Sequence, residues 1–460
     1  MKIFLLIPLL FFTYECFSQS SISEASLETT ALAGSGNNLP FWFSQNQLGK
    51  YSTNSNWQEL TEGKLFGVTD LGKKINLTYG ADLGFLGTEN STRTKIIQAY
   101  AGLAGKIINL RIGAFADDEI LGGLSPGNGN IVRSLNYRPY PMIRLSTSGF
   151  VPFLFAKNWF RFKAEYDEGL LRDDRIVHHP HLHHKSLDLQ FLPGKTFRFS
   201  VGVNHYVFWG GTLPDGRKLP DDLSSYFRYI LGKKGSSEFL ETDQLNVAGN
   251  QLGAYLVAAE KDFKTFQVQV RISHPFEDHS GMEMTNRKDN LYSFYIRKKK
   301  EGSLFDEFLF EYLYTKNQSG DPAIEGTSHA KDNYFNHGVY KTGFSYRGYS
   351  MGTPLFFPLI KNSEGTAAGF ENNRISAFHA GAKGYLTAQI CWKAMLTYSR
   401  NFGIYDHPYD PVHKQVYSLA ELNWKSKTLP LAVGARLAAD FYNQADNQFG
   451  AGFSFKWWLR

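Results

Sequence analysis

The sequence predicts an all-β fold: a transmembrane antiparallel β-barrel of about eighteen strands with short helical segments. Three observations predict it. The chain opens on a secretory leader, it alternates with period two almost to its C-terminus, and its long connections all fall on one side.

The leader comes first in the chain. Met1-Lys2 is followed by the nearly unbroken apolar run Ile3 to Phe12 and the polar stretch Thr13 to Ser18. A basic start, an apolar stretch of about ten residues and small residues near its end read as a signal peptide, residues 1–18, cleaved before Gln19. Cys16 invites a lipoprotein reading, but Tyr14-Glu15 ahead of it does not suit that processing. Residues 19–39 then read as a periplasmic N-terminal segment and residues 40–460 as the barrel. Cleavage leaves one thiol, Cys391, in a strand-like context that suggests packing rather than reactivity.

Composition narrows the rest. Mean hydropathy of −0.32 excludes a bundle of membrane helices, each of which needs roughly 20 consecutive apolar residues. Two cysteines exclude a disulfide framework and a cysteine zinc site. A net charge of +6 permits an anionic partner without requiring one.

The strands follow in order. Ile75, Leu77, Tyr79, Ala81, Leu83 and Phe85 alternate with Asn76, Thr78, Gly80, Asp82 and Gly84. Phe160, Phe162, Ala164 and Tyr166 alternate with Arg161, Lys163, Glu165 and Asp167, which makes the charged set lumen-facing. Phe266, Val268, Val270 and Ile272 alternate with Gln267, Gln269 and Arg271, and the last segment sets Phe449, Ala451, Phe453, Phe455 and Trp457 against Gly450, Gly452, Ser454 and Lys456. Such strands have one apolar and one polar face, as lipid outside and a polar lumen inside demand. With the C-terminus in the periplasm, Ala116 to Pro141, Glu168 to Lys185, Tyr206 to Leu252, His274 to Asn290 and Lys316 to Arg374 all fall outside the cell. The inner turns, such as Glu260 to Lys264 and Lys298 to Ser303, are short.

Several motifs resemble the Wzi family of capsule-assembly proteins in its Bacteroidetes form. They are Leu39-Pro40-Phe41-Trp42 with Asn46 and Gly49, Leu182-His183-His184-Lys185-Ser186-Leu187, and Trp209-Gly210-Gly211 leading to Leu219-Pro220. Gly249-Asn250-Gln251-Leu252-Gly253, Tyr334-Phe335-Asn336-His337-Gly338-Val339-Tyr340 and Asn373-Arg374-Ile375 with His379 and Gly381 complete the set. The resemblance implies an eighteen-stranded barrel plugged at its periplasmic end by helices, with capsular polysaccharide bound on its outer face. It implies a lectin-like surface anchor with no catalysis; no cofactor is expected. Parity places the helix-like stretch Asp221 to Leu231 outside, where it caps the outer mouth unless one strand is miscounted.

Candidate polysaccharide contacts are aromatics that can stack on sugar rings and polar groups that can bond hydroxyls. The outer connections offer His205, Tyr206 and Trp209; Asn336, His337 and Tyr340; Asn373 and Arg374; and His183 and His184. The cluster His178, His179, His181, His183 and His184 has the density of a metal site, but Pro180 interrupts it and no cysteine joins it, so no metal is expected. The row Arg161, Lys163, Glu165 and Asp167 reads better as a salt network filling the lumen than as a channel wall. Gly343 to Gly348 is one residue off a nucleophile elbow and lacks its strand–turn–helix setting. The best reading is a non-enzymatic anchor for capsular polysaccharide, with outer-membrane lipid and capsule export machinery as further partners and no nucleic acid. A substrate-selective porin is the alternative, and an outer-membrane hydrolase a more distant one.

Overall fold

A computed structural model describes residues 20–459 except 73, 154–158, 246, 278–283, 320–331 and 362–365. The predicted leader, residues 1–18, lies outside the described residues, as does Arg460.

Eighteen strands make one closed sheet. The first five are β1 (Ser20–Gly34), β2 (Trp57–Asp70), β3 (Asn76–Thr88), β4 (Thr92–Ala104) and β5 (Ile108–Ala114). Then come β6 (Pro141–Thr147, continued by Val151–Pro152), β7 (Phe160–Leu170), β8 (His181–Phe191) and β9 (Phe197–Trp209). β10 (Asn250–Asp262), β11 (Phe266–Phe276), β12 (Asn290–Lys298) and β13 (Glu307–Tyr314) follow. The last are β14 (Ile375–Thr387), β15 (Ile390–Gly403), β16 (Pro408–Lys425), β17 (Leu431–Tyr442) and β18 (Gln448–Trp458). Each pairs antiparallel with the next, and β1 closes the circle against β18 from Ser26↔Trp458 to Gly34↔Gly450. Closure leaves no free edge, so every strand can keep its backbone groups bonded in a medium without water.

Alternation sorts the side chains as expected. Leu83, Phe85, Ile96, Ile112, Ile143, Val270, Phe294, Phe310, Phe453 and Phe455 are exposed on the outer wall. Asp82, Glu165, Asp167, Glu311, Thr397 and Glu421 are buried on the lumen side. An Arg at Val270, mid-strand on the outer face, should therefore destabilise the inserted barrel by about 2–4 kcal/mol. Gln269→Arg, facing the lumen beside Glu260 at 3.1 Å, should be much milder. Folding titrations into vesicles compare the two; equal losses would refute the face assignment.

One boundary is corrected. The segment 19–39, read as periplasmic, instead supplies β1, whose outer face carries Ala25, Thr29, Ala31 and Ala33 beside Leu27. Small side chains give weak alternation, so the strand does not announce itself in the sequence.

The five longest connections, 35–56, 115–140, 210–249, 277–289 and 315–374, share one end of the barrel; the last four match predicted outer stretches, and 35–56 joins them once β1 is counted. Their place is less expected, because most fold inward. The connection 35–56 carries the short helix α1 (Phe41–Ser44), which lays Phe41 on Tyr417 at 4.1 Å and donates its first N–H to Asp440 at 2.7 Å. The 115–140 connection descends deep into the lumen: Leu124 carbonyl accepts from His379 at 2.7 Å, Gly122 carbonyl from Lys383 at 2.9 Å, and Ser125 donates to Glu311. The described parts of 315–374 form an aromatic knot in the mouth, with Phe335 edge-on to Phe344, Phe356 and Phe370. The lumen is thus filled from the loop end. This differs from the helical plug at the other end that the resemblance implies.

Candidate functional site

The lumen network begins on β7. Alternation aims Arg161, Lys163, Glu165 and Asp167 inward, and loop 115–140 supplies their countercharges. Arg133 reaches Glu165 at 2.8 Å and pairs with Asp117; Arg144 on β6 holds Asp117 and Asp167, both at 2.8 Å. These guanidinium groups keep the Asp117 carboxyl well below the usual carboxylate range despite its burial. Glu165, Asp167 and His184 converge closely enough for a metal ion. Their oxygens already serve Arg133, Arg144, Lys163 and the His184 ring, so the cluster is a salt network that ties the plug to the wall. Below it lies a cavity of about 490 Å³ with as many acidic as basic groups in its lining, including Arg111, Lys163, Asp188, Glu260 and Arg271.

The histidine cluster does not converge. Strand β8 turns successive residues to opposite faces, so His184 bonds Asp167 (2.9 Å) and Asn204 (3.2 Å) inside, while His183 bonds Glu168 (2.6 Å) outside. His181 stacks on Trp209 at 4.4 Å, and His178 and His179 stand exposed on the rim.

Most of the expected sugar contacts are used up in packing. Tyr206 is 3 % exposed and stacked on His184 at 4.3 Å. Tyr340 is 4 % exposed, lies against Phe208 and donates to the Gly210 carbonyl at 3.1 Å. His205 is bonded to Gln251 at 2.7 Å, and Trp209 is packed against Tyr226 and Tyr229, both on the outside of the wall. Asn336 clasps both backbone groups of Phe370, and Asn373 donates to Asn333 and the Tyr334 carbonyl. Among the expected contacts, Asn336, His337 and Arg374 keep part of their surface open; Arg374 lies over the Tyr405 ring at 3.8 Å. Tyr206, Asn336, Tyr340 and Asn373 build the mouth, whereas His183, His205 and Trp209 belong to the outside of the wall. Loop residues usually stay in water, but a lumen this wide demands filling, and aromatic loop residues fill it. Ser345, the near-match to a nucleophile, is buried in a two-strand hairpin and donates to the Thr342 carbonyl at 3.0 Å.

A cluster that the sequence does not flag sits on top of the plug. Arg93 and Lys95 project from the outer end of β4, Arg138 comes from loop 115–140, and Arg347 from the hairpin Ser345–Tyr346/Tyr349–Ser350. Three contacts knit them together. Lys95 donates to the Lys50 carbonyl, and Gly49 abuts the Arg138 backbone so tightly that a Cβ there would sit 2.8 Å from its nitrogen. Tyr349 donates to the Tyr51 carbonyl at 2.7 Å, which brings the hairpin to the same spot. Lys95 is itself partly buried, and Arg138, Arg93 and Arg347 stand near enough to repel its charge. Arg347 occupies the hairpin tip at φ 51°, a conformation few non-glycine residues adopt, and Gly348 follows at 82°. None of the four forms an ion pair among the described residues, and the buried Nε of Arg138 has no hydrogen-bond partner there. Burial and Arg347 push the Arg138 guanidinium down to about 10. The nearby Asp173 carboxylate is taken by Arg175 at 2.7 Å and by the Arg347 backbone N–H at 3.0 Å. An unpaired cation cluster at a surface is a place for an anion.

Barrel, plug and mouth together define a plugged outer-membrane β-barrel. The family model described as capsule assembly protein Wzi matches residues 17–357, and the chain belongs to that family of outer-membrane capsule assembly proteins. No curated protein matches the sequence. Among solved structures, Pseudomonas aeruginosa OccK1 (OpdK) aligns at a TM-score of 0.50 and 10% identity, over 96% of this chain and 99% of that one. Acinetobacter baumannii OccAB2 aligns at 0.48 and 12% identity, over 96% and 99% of the two chains, and Pseudomonas aeruginosa OccK3 (OpdO) at 0.48 and 9%, over 96% of each. At 10% identity, the likeness to OccK1 shows the barrel fold alone.

Proposed function

We propose that this barrel anchors capsular polysaccharide at the cell surface without catalysing a reaction on it, and that it grips acidic groups of the glycan through Lys95, Arg138 and Arg347. The single observation that carries the reading is that unpaired cluster, on the outer side of a filled lumen, in a protein of a capsule assembly family. A guanidinium offers up to five donors in a planar fork that suits a uronate, sulfate or phosphate. His337 and Arg374, partly open on the same mouth, are candidates for further contacts; the other residues expected from the sequence are packed into the mouth, the lumen or the outer wall. Contacts with capsule export machinery belong to the same proposal, since the surface left to the periplasm is the ring of short turns.

Binding tests it directly. Purified barrel should retain an immobilised acidic capsular polysaccharide at low salt and release it as ionic strength rises from about 0.05 to about 0.5 M, since exposed charge pairs are screened. Binding that ignores salt would refute the charge-based grip. In planar bilayers the same barrel should show little conductance, because loops 35–56 and 115–140 and the described parts of 315–374 fill the lumen. A large steady conductance would favour the porin alternative.

A further inference from the structure

The outer wall carries a polar interruption across four neighbouring strands. Glu168, His183, Lys185, His205 and Gln251, on β7 to β10, all point to the face that meets lipid elsewhere. They are neighbours by register: Glu168↔His183, His183↔Val207, Lys185↔His205 and Val207↔Gln251. One strand away the face is ordinary, for Glu168 stands opposite Ile143 and Tyr166 opposite Leu145, and Ile143 and Leu145 are both exposed. Bare polar groups at this place would be costly in an apolar medium.

The connection 210–249 folds back over this patch. Its helix α2 (Leu223–Ile230) starts at Asp222, whose carboxylate accepts from the N–H groups of Ser224 and Ser225. Tyr226 then donates to Glu168, and the Ile230 carbonyl at the helix end accepts from Lys185. Gln251 donates to the carbonyls of Tyr229 (2.9 Å) and Ala248 (2.6 Å) and bonds His205 at 2.7 Å. Val207, Trp209, Tyr229, Phe239 and Ala248 close a small apolar core around these bonds. The patch ends up sealed: His183 is 0 % exposed and Gln251 2 %.

The helix is inside out for a protein in water. Its inward face carries the polar bonds, while Leu223, Phe227 and Leu231, spaced four apart on one stripe, are 71 %, 50 % and 57 % exposed. A helix of two turns has little stability of its own, so this side is set by docking. The stripe continues the exposed apolar surface of the wall at Tyr166 and Leu187. Arg228, Lys233 and Lys234 flank it, placed to meet headgroup phosphates.

We propose that α2 is a lipid-embedded patch on the outside of the barrel: its inner face satisfies the polar break in the wall, and Leu223, Phe227 and Leu231 restore the apolar surface toward outer-leaflet acyl chains. The inference is independent of the glycan reading. It is tested on the full barrel in a Cys391→Ser background, with single nitroxide labels at Phe227→Cys, at Val270→Cys on the bare wall and at Asp215→Cys in the exposed part of the same loop. The barrels are placed in phosphatidylethanolamine/phosphatidylglycerol vesicles, and heat-modifiable migration confirms insertion. The Phe227 label should collide readily with oxygen and rarely with a water-soluble nickel chelate, close to the Val270 label and far from the Asp215 label. Nickel access matching Asp215 would overturn the proposal, because the stripe would then stand in water. Spin–spin broadening at Phe227 would overturn it too, since a second copy and not lipid would cover the stripe. If Phe227→Cys fails to insert, Leu223→Cys at the other end of the stripe gives the same reading.

Discussion

A chain ending before Phe453 is expected to yield no heat-modifiable, correctly inserted barrel. The lost segment holds most of β18, which pairs with β1 from Ala31↔Phe453 to Ser26↔Trp458 and with β17 from Ala435↔Phe453 to Leu431↔Trp457. Removing it strands two rows of backbone N–H and C=O groups in hydrocarbon, where each unpaired group costs several kcal/mol. It also removes Phe453, Phe455 and Trp457 from the outer wall. The loss exceeds the total stability of any ordinary domain, so the result is all-or-none. Deleting Arg460 alone, past the last paired residue, should leave insertion intact. Normal insertion of the long truncation would contradict closure by β1 and β18.

The second large effect concerns the cation cluster. Cells in which the protein carries Arg138→Ala with Arg347→Ala are expected to release capsule into the medium while total polysaccharide stays constant. Each Arg replaced removes a cation that has no ion-pair partner among the described residues, so the barrel should insert normally, with thermal stability equal to or above that of the parent. That sign separates the proposed role from a structural one, for which stability and retention would fall together. Arg347→Lys keeps the charge but not the fork and should retain an intermediate share of capsule. By contrast Trp209→Ala, once the natural choice for a sugar platform, should loosen the sealed patch beside α2 and lower stability. Capsule that stays attached to the double variant would remove the cluster from the anchor. A fall in total polysaccharide would point to export instead of attachment.

The sequence by itself determined the wall. Period-two alternation is a local property: Phe162 and Tyr166 point outward and Lys163 and Glu165 inward whatever the partners, because successive residues of any strand face opposite ways. The side on which the long connections lie followed from the same counting. The family motifs were legible too, yet their roles were not. Tyr206, Tyr340 and Asn373 carry the chemistry of sugar contacts, and only packing shows that loops turned inward bury them. β1 escaped notice because alanine and threonine suffice on an outer face whose neighbours supply the bulk.

Tertiary structure alone decided four things. It split the histidines of β8 between two faces, it filled the lumen from the loop end, and it gathered Lys95, Arg138 and Arg347 from segments far apart in the chain. It also turned α2 outward over a polar break in the wall. Alternation fixes which face a residue joins but says nothing of what covers that face. Covering depends on long-range closure, where a loop descends only if its carbonyls and charges find partners such as Lys383, His379 and Arg144 already waiting on the wall.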